Sequence, residues 1–257
     1  MNNPCASIQH LAPPYSGLAP VYDSALGIAN FAGTRAAFEL LVRRYGISFH
    51  SASDVGCGTG LFACYLNRRW RVPVFGIDRS PEMLRVAARR CPNSAVCFLQ
   101  QDIRSLHLPR QVDLITANFD TLNHILTGPE LRIAFKRIGE NLTTGGHFIF
   151  DLITRCQPPV ATQTYTRCLG SRDCHAVQQI HWNPSNSILS IALTIRRPNC
   201  QVAILERHRE RAYCPIEVSR WLADTGFLIR GVHDAVTLRT ATVCPPRLIV
   251  ITTKHSC

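Results

Sequence analysis

From Asp54 to Phe150, short apolar stretches alternate with longer runs in which apolar residues return every three or four places. Asp54-Val55 closes the first stretch. Val74-Phe75-Gly76-Ile77, Val96-Cys97-Phe98-Leu99, Val112 to Ala117 and His147-Phe148-Ile149-Phe150 are the next four. Their brevity and continuous apolar character predict strands buried on both faces. The intervening runs predict helices over about Leu61–Arg69, from Ser80-Pro81-Glu82 onward, and over Pro129–Leu142 up to Gly145-Gly146. Ser80 suits an N-cap and Pro81 the first helical position. An amphipathic helix over Asn30–Tyr45 precedes them, with Phe38, Leu40 and Leu41 apolar and Arg35, Arg43 and Arg44 polar. Strands alternating with helices and joined by right-handed crossovers imply an α/β, doubly wound, mostly parallel sheet.

The rhythm changes over residues 155–212. Gln178–Trp182, Ile188–Ile195 and Gln201–Arg209 read as strands joined by polar turns, Asn183-Pro184-Ser185-Asn186 and Pro198-Asn199. A helix over about Ile216–Thr225 stops at Gly226. Strands near Phe227–Leu238 and Arg247–Thr253 follow with no helix between them, an antiparallel edge hairpin. The expected organisation is an N-terminal cap (1–44), a core with a seven-stranded sheet (45–154 and 213–257) and a small antiparallel β insertion (155–212). The insertion would form an acceptor lid or a homodimer surface. The first twenty or so residues, with Pro4, Pro13, Pro14 and Pro20, read as irregular.

The chain has 257 residues, enough for one core and one modest insertion. Hydrophobic residues make up 46% and charged residues 18%, a globular composition. No apolar run approaches the roughly 20 residues needed to cross a bilayer, and the start lacks a secretory pattern, so a cytoplasmic protein without membrane partners is expected. The twelve cysteines include no C-x-x-C pair, which argues against metal and disulfides; Cys64 and Cys97 fall where small buried residues fit. Cys168, Cys174 and His175 form only a loose cluster, and no metal site is assigned. The formal charge is +11, but the arginines are dispersed and not interleaved with aromatics, so nucleic acid is a disfavoured partner.

The candidate chemistry begins at Asp54-Val55-Gly56-Cys57-Gly58-Thr59-Gly60, between a strand and a helix. A dinucleotide fingerprint would need a third glycine at position 61, which is Leu61, and a phosphate loop would need Gly-Lys-Ser/Thr. An acid before the first glycine would repel pyrophosphate and would suit a sulfonium amino acid with a free ammonium. Asp78 ends the second strand, 20 residues after Gly58, where a carboxylate reaches ribose hydroxyls. Asp102 ends the third, where it can accept from an adenine amine. Singly, each acid serves equally as a helix cap. Together, three acids at consecutive strand ends point to a nucleoside ligand.

These segments, with Gly76-Ile77-Asp78-Arg79-Ser80-Pro81-Glu82-Met83-Leu84, Gln101-Asp102-Ile103, Phe119 to His124, Gly145 to Asp151 and Arg211-Ala212-Tyr213, resemble the class I S-adenosylmethionine-dependent methyltransferases. The resemblance runs from Tyr22-Asp23 to Lys254. It is closest to stand-alone bacterial enzymes with a β insertion, including small-molecule and sugar N-methyltransferases. It implies S-adenosyl-L-methionine as cofactor. Gly56 and Gly58, flanked by Asp54 and Cys57, would line the methionine part, and Asp78 and Arg79 the ribose. Met83 would lie near the adenine, with Gln101, Asp102 and Ile103 framing the base. Asn118 and Phe119 would close the floor and Tyr22 would fold over the top. The first strand, His50-Ser51-Ala52-Ser53, is more polar than the family usually has.

Methyl transfer needs alignment of the acceptor, and a base only where a proton must leave. The expected reaction is transfer to an N or O atom of a small molecule. RNA or protein methylation, or cofactor binding without catalysis, are the alternatives. Asn118-Phe119-Asp120-Thr121 differs from the Asn/Asp-Pro-Pro-Tyr/Phe of enzymes that methylate base amines. His124 is the candidate general base, with Tyr213 the second catalytic candidate and Asp120 and Asp151 expected at the same mouth.

Overall fold

The computed structural model describes residues 9–92, 95–155, 165–171, 174–196 and 202–255. Its larger sheet has seven strands: β2 (Ala52–Val55), β3 (Val74–Asp78), β4 (Val96–Gln100), β5 (Val112–Ala117), β6 (Leu142–Ile153), β11 (Phe227–Asp234) and β12 (Arg247–Lys254). Their order is β11-β12-β6-β5-β2-β3-β4, with β12 antiparallel to both neighbours. The helices are α1 (Ile28–Arg44), α2 (Leu61–Trp70), α3 (Pro81–Arg90), α4 (Gly128–Asn141) and α5 (Pro215–Asp224). The doubly wound fold and the edge hairpin thus stand as the apolar pattern implies. Strand β2 is only four residues long and carries Ser53 and Asp54, yet all four positions are buried, because β3 and β5 flank it.

Local chemistry sets the elements that matter to the site. Gly60 turns the chain from β2 into α2 with φ +77°, and a Cβ there would stand 2.9 Å from Ala87 of α3. The Ser80 hydroxyl accepts from the Met83 amide at 3.2 Å and caps α3. Thr127 likewise caps α4, accepting from Glu130 N.

The second sheet has five strands in the order β1-β10-β9-β8-β7. Four come from the insertion: β7 (Tyr165–Ser171), β8 (Cys174–Asn183), β9 (Ile188–Arg196) and β10 (Ala203–Arg211). The fifth, β1 (Gln9–Ala12), corrects the expectation of an irregular start, since it pairs in parallel with β10. A buried carboxylate explains its seat. Glu206 of β10 is fully buried and accepts from the amides of Tyr15, Gly17 and Leu18 at 2.8, 2.6 and 2.9 Å.

Three other expectations are corrected. Cys64 of α2 and Cys91 at the end of α3 form a disulfide, with Cα atoms 6.2 Å apart; residues 27 apart in sequence meet because their helices pack side by side. Cys97 is exposed rather than buried, since β4 is the edge of its sheet. The helical run Asp23–Arg44 has the length and apolar composition of a membrane span; in this fold Phe38 and Leu41 of that run pack into the core. The side chains of Cys168, Cys174 and His175 lie outside the described residues.

Candidate active site

A cavity of about 330 Å³ opens at the carboxyl ends of β2, β3 and β5. Tyr22, Asp54, Gly56, Cys57, Gly58, Asp78, Arg79, Met83, Gln101, Asp102, Ile103, Asn118 and Phe119 all line it. Gly56 has φ +70°, and a Cβ there would lie 2.2 Å from the Thr121 hydroxyl, so only glycine leaves the backbone open to a ligand. Asp54 is buried, accepting from Thr116 Oγ1 at 2.7 Å and from Asn118 Nδ2 at 3.4 Å. Burial pushes its carboxyl up to about 7, with those hydrogen bonds opposing. An ammonium placed beside it would restore the carboxylate. Asp78 accepts from Gly58 N and Ser80 N, both at 2.8 Å, which aims the carboxylate across the loop. Burial raises it as well. Both acids and the open glycine cradle therefore fit the amino-acid and ribose parts of S-adenosylmethionine.

Two residues at the base end are less free than their position implies. The Asp102 carboxylate takes Arg104 Nε at 2.9 Å and Nη2 at 2.7 Å, and this guanidinium holds it below the ordinary range. The Gln101 amide exchanges two hydrogen bonds with the His107 backbone, each 2.9 Å. They shape the pocket wall with side chains already engaged.

At the other end stands His124, on the short 3-10 turn Thr121–His124. Asn123, fully buried, fixes this turn: its amide donates to Arg211 O at 2.7 Å and accepts from Ile153 N at 3.0 Å. The Tyr15 hydroxyl lies 2.6 Å from His124 Nε2. Burial, with the Arg79 charge, lowers His124 to about 4, so the ring is neutral where it shares its hydrogen bond with the tyrosine hydroxyl. Glu210 Oε1 of β10 lies 3.8 Å from the same nitrogen. Burial, with the Asp120 charge, pushes Glu210 up to about 8. Nearby, Arg247 bridges Asp151 at 2.6 Å and Asp120 at 2.9 Å, and Asp120 N donates to Asp151 at 3.1 Å. Burial raises Asp151 to about 6. Phe119 and Asp120 adopt left-handed conformations, φ +57° and +62°, at this turn.

Tyr213 is not brought to the cavity. It is 1% exposed within the main core, and its hydroxyl donates to the Ile125 carbonyl at 2.5 Å. It braces the His124 loop from behind. Tyr15, Glu206 and Glu210 were missing from the sequence reading. Only the alternation of buried acids in Glu206-Arg207-His208-Arg209-Glu210 hinted at an inward polar face.

Residues 52–146 match the model of the methyltransferase domain family. A trans-aconitate 2-methyltransferase of Afipia carboxidovorans is 34% identical over 116 residues, 44% of this chain and 42% of that protein. A dTDP-3-amino-3,6-dideoxy-alpha-D-glucopyranose N,N-dimethyltransferase of Streptomyces fradiae is 31% identical over 111 residues, 43% of this chain and 42% of that protein. The chain thus matches about half or less of the length of such curated relatives. An S-adenosylmethionine-dependent methyltransferase of Clostridium acetobutylicum superposes with a TM-score of 0.79, covering 94% of this chain and 99% of that one. At 21% identity, that likeness speaks for the fold. Residues 52–146 thus carry the match to the methyltransferase domain family, and the chain as a whole has the fold of an S-adenosylmethionine-dependent methyltransferase.

Proposed function

We propose that this protein binds S-adenosylmethionine in the cavity above β2, β3 and β5 and methylates the nitrogen of a small-molecule amine. When bound, the cofactor supplies a methyl group activated by its sulfonium charge. Asp54 meets the ammonium of its amino-acid part and Asp78 the ribose hydroxyls. Tyr22 covers it and excludes water.

The observation that supports an amine is the charge at the acceptor end. Glu210 lies beside His124, and Asp120 and Asp151, paired with Arg247, line an adjoining cavity that shares Asn118 and Phe119 with the first. Two relatives mark the choice, one named for trans-aconitate and one for an amino sugar. A carboxylate acceptor would enter a field of its own sign in a poorly screened site, whereas an ammonium would be drawn in. An ammonium must lose a proton before its nitrogen can attack. His124, held neutral, and the Tyr15 hydroxyl orient the acceptor; Glu210, whose proton affinity lies near neutrality, takes the proton. The insertion would then reach the acceptor through Glu210 of β10, beside His124.

A library of amines, carboxylates and phenols, run with labelled cofactor beside bulk tRNA and protein, tests this. Turnover confined to amines is the expected result. Turnover of carboxylates alone overturns the amine assignment, and tight, salt-resistant turnover of tRNA overturns the small-molecule reading.

A further inference from the structure

The cavity is roofed by residues 15–27, which contribute Tyr15, Tyr22 and Gly27 to its lining. This roof is fastened at two places of different kinds. Near Tyr15 it hangs from the fully buried Glu206 by three backbone amides, and it continues the parallel pairing of β1 with β10. Near Tyr22 it is tied by one side chain. Asp23 accepts from the Thr59 hydroxyl of the glycine loop at 2.6 Å and pairs with Arg90, the last residue of α3. Arg90 Nε also donates to the Thr59 carbonyl at 2.9 Å, so roof, loop and helix meet at one point.

The helix carrying this tie is irregular there. Asp23–Gly27 is a single π-helical turn leading into α1. Such turns recur at functional positions because the extra residue displaces side chains from the regular helical face. Gly27 closes it: a Cβ there would stand 2.9 Å from Asp23 Oδ1 and 3.0 Å from the Tyr22 ring. Tyr22 and Asp23 are therefore held as one unit.

We propose that Asp23 is a positioning residue that latches the roof over the cofactor, and that this latch, rather than the Glu206 fastening, opens for cofactor exchange. The proposal rests on the cofactor reading above. Asp23 and Arg90 side chains are 21% and 27% exposed, so water can replace their contacts as they part. Opening at Glu206 would strip three amides from a fully buried carboxylate and leave it with His208 at 3.0 Å. The roof then swings with the insertion sheet, carrying Tyr22 away from the glycine loop. Tyr15 stays with Glu206.

The test is the dissociation rate of S-adenosylhomocysteine from the full chain, measured by displacement in a stopped-flow instrument, beside the melting temperature without ligand. D23A should release the ligand about tenfold faster or more, the effect of losing a charged hydrogen bond. Its ligand-free melting temperature should change little, and KM for S-adenosylmethionine should rise without a fall in kcat. D23N keeps an acceptor for Thr59 and should recover part of the loss. D23A/R90A should be no faster than the faster single variant. Release at the wild-type rate in D23A overturns the latch, as does a drop in melting temperature without a change in release. A wild-type protein that binds no S-adenosylhomocysteine overturns the cofactor reading itself.

Discussion

The two ends of the cavity are built on different physical principles. At the end proposed to take the cofactor, bare backbone and single carboxylates line the wall. Asp78 is aimed by two N–H groups, Gly56 leaves the main chain bare, and Asp54 sits among neutral donors. At the acceptor end, charges crowd together. Glu210 stands beside the neutral His124 and Tyr15, and Asp120, Asp151 and Arg247 cluster, partly exposed, in the adjoining cavity. The first arrangement recognises a fixed shape and survives small changes elsewhere. The second is tuned by mutual repulsion and answers to pH and to any change of charge.

If that division is right, substitutions at the two ends should separate binding from turnover. The largest effect is expected at Glu210. E210Q should lower kcat toward an amine acceptor by about 10²–10⁴, the usual contribution of a proton acceptor. Affinity for S-adenosylhomocysteine should stay near wild type. The pH profile sharpens the point. Only the ionised carboxylate can take a proton, and burial sets its titration near 8, so wild-type kcat/KM should climb with pH and level off above about 8. A flat wild-type profile from pH 6 to 9 would remove Glu210 from this role.

Next in size is D78A. Ribose hydroxyls left without a charged acceptor should cost about 1.5–3 kcal/mol, read by calorimetry as weaker S-adenosylhomocysteine binding. Unchanged affinity in a folded variant would erase the distinction between the two ends. H124N should lower kcat at least tenfold or so while leaving cofactor affinity nearly unchanged, because it removes the partner of the Tyr15 hydroxyl. A variant with wild-type kcat across pH 6 to 9 would leave His124 a packing residue. Smallest is Y213F. It loses a buried hydrogen bond to Ile125 and should destabilise the fold by about 1 kcal/mol in a denaturant melt, with kcat within about twofold. A tenfold loss of kcat would return Tyr213 to the chemistry.

The same division explains what could be read from the chain in advance. The cofactor end is assembled from a strand, a loop and the next strand's last residue, so Asp54 to Gly60 and Asp78 carry their meaning in local spacing. The acceptor end is not local. Tyr15 reaches Glu206 across 191 positions and His124 across 109, and no periodicity announces such meetings. Tyr213 was misjudged because its place before α5 fixes the backbone but not the turn of its hydroxyl toward Ile125. Asp102 sits where expected, but Arg104, two residues on, claims its carboxylate. Prolines obscured β1, since its pairing partner lies far along the chain.

The parallel seat of β1 on β10 also bears on the order in which this molecule can be assembled. The glycine loop and its flanking strands are contiguous and made by Phe150, but β1 has no seat until Ala203–Arg211 has been made. At about 5–20 residues per second, the stretch between Phe150 and Ala203 takes about 3–11 seconds to make. The first strand described thus waits for one of the later ones, whereas the Asp23 contacts to Thr59 and Arg90 need only residues made long before it.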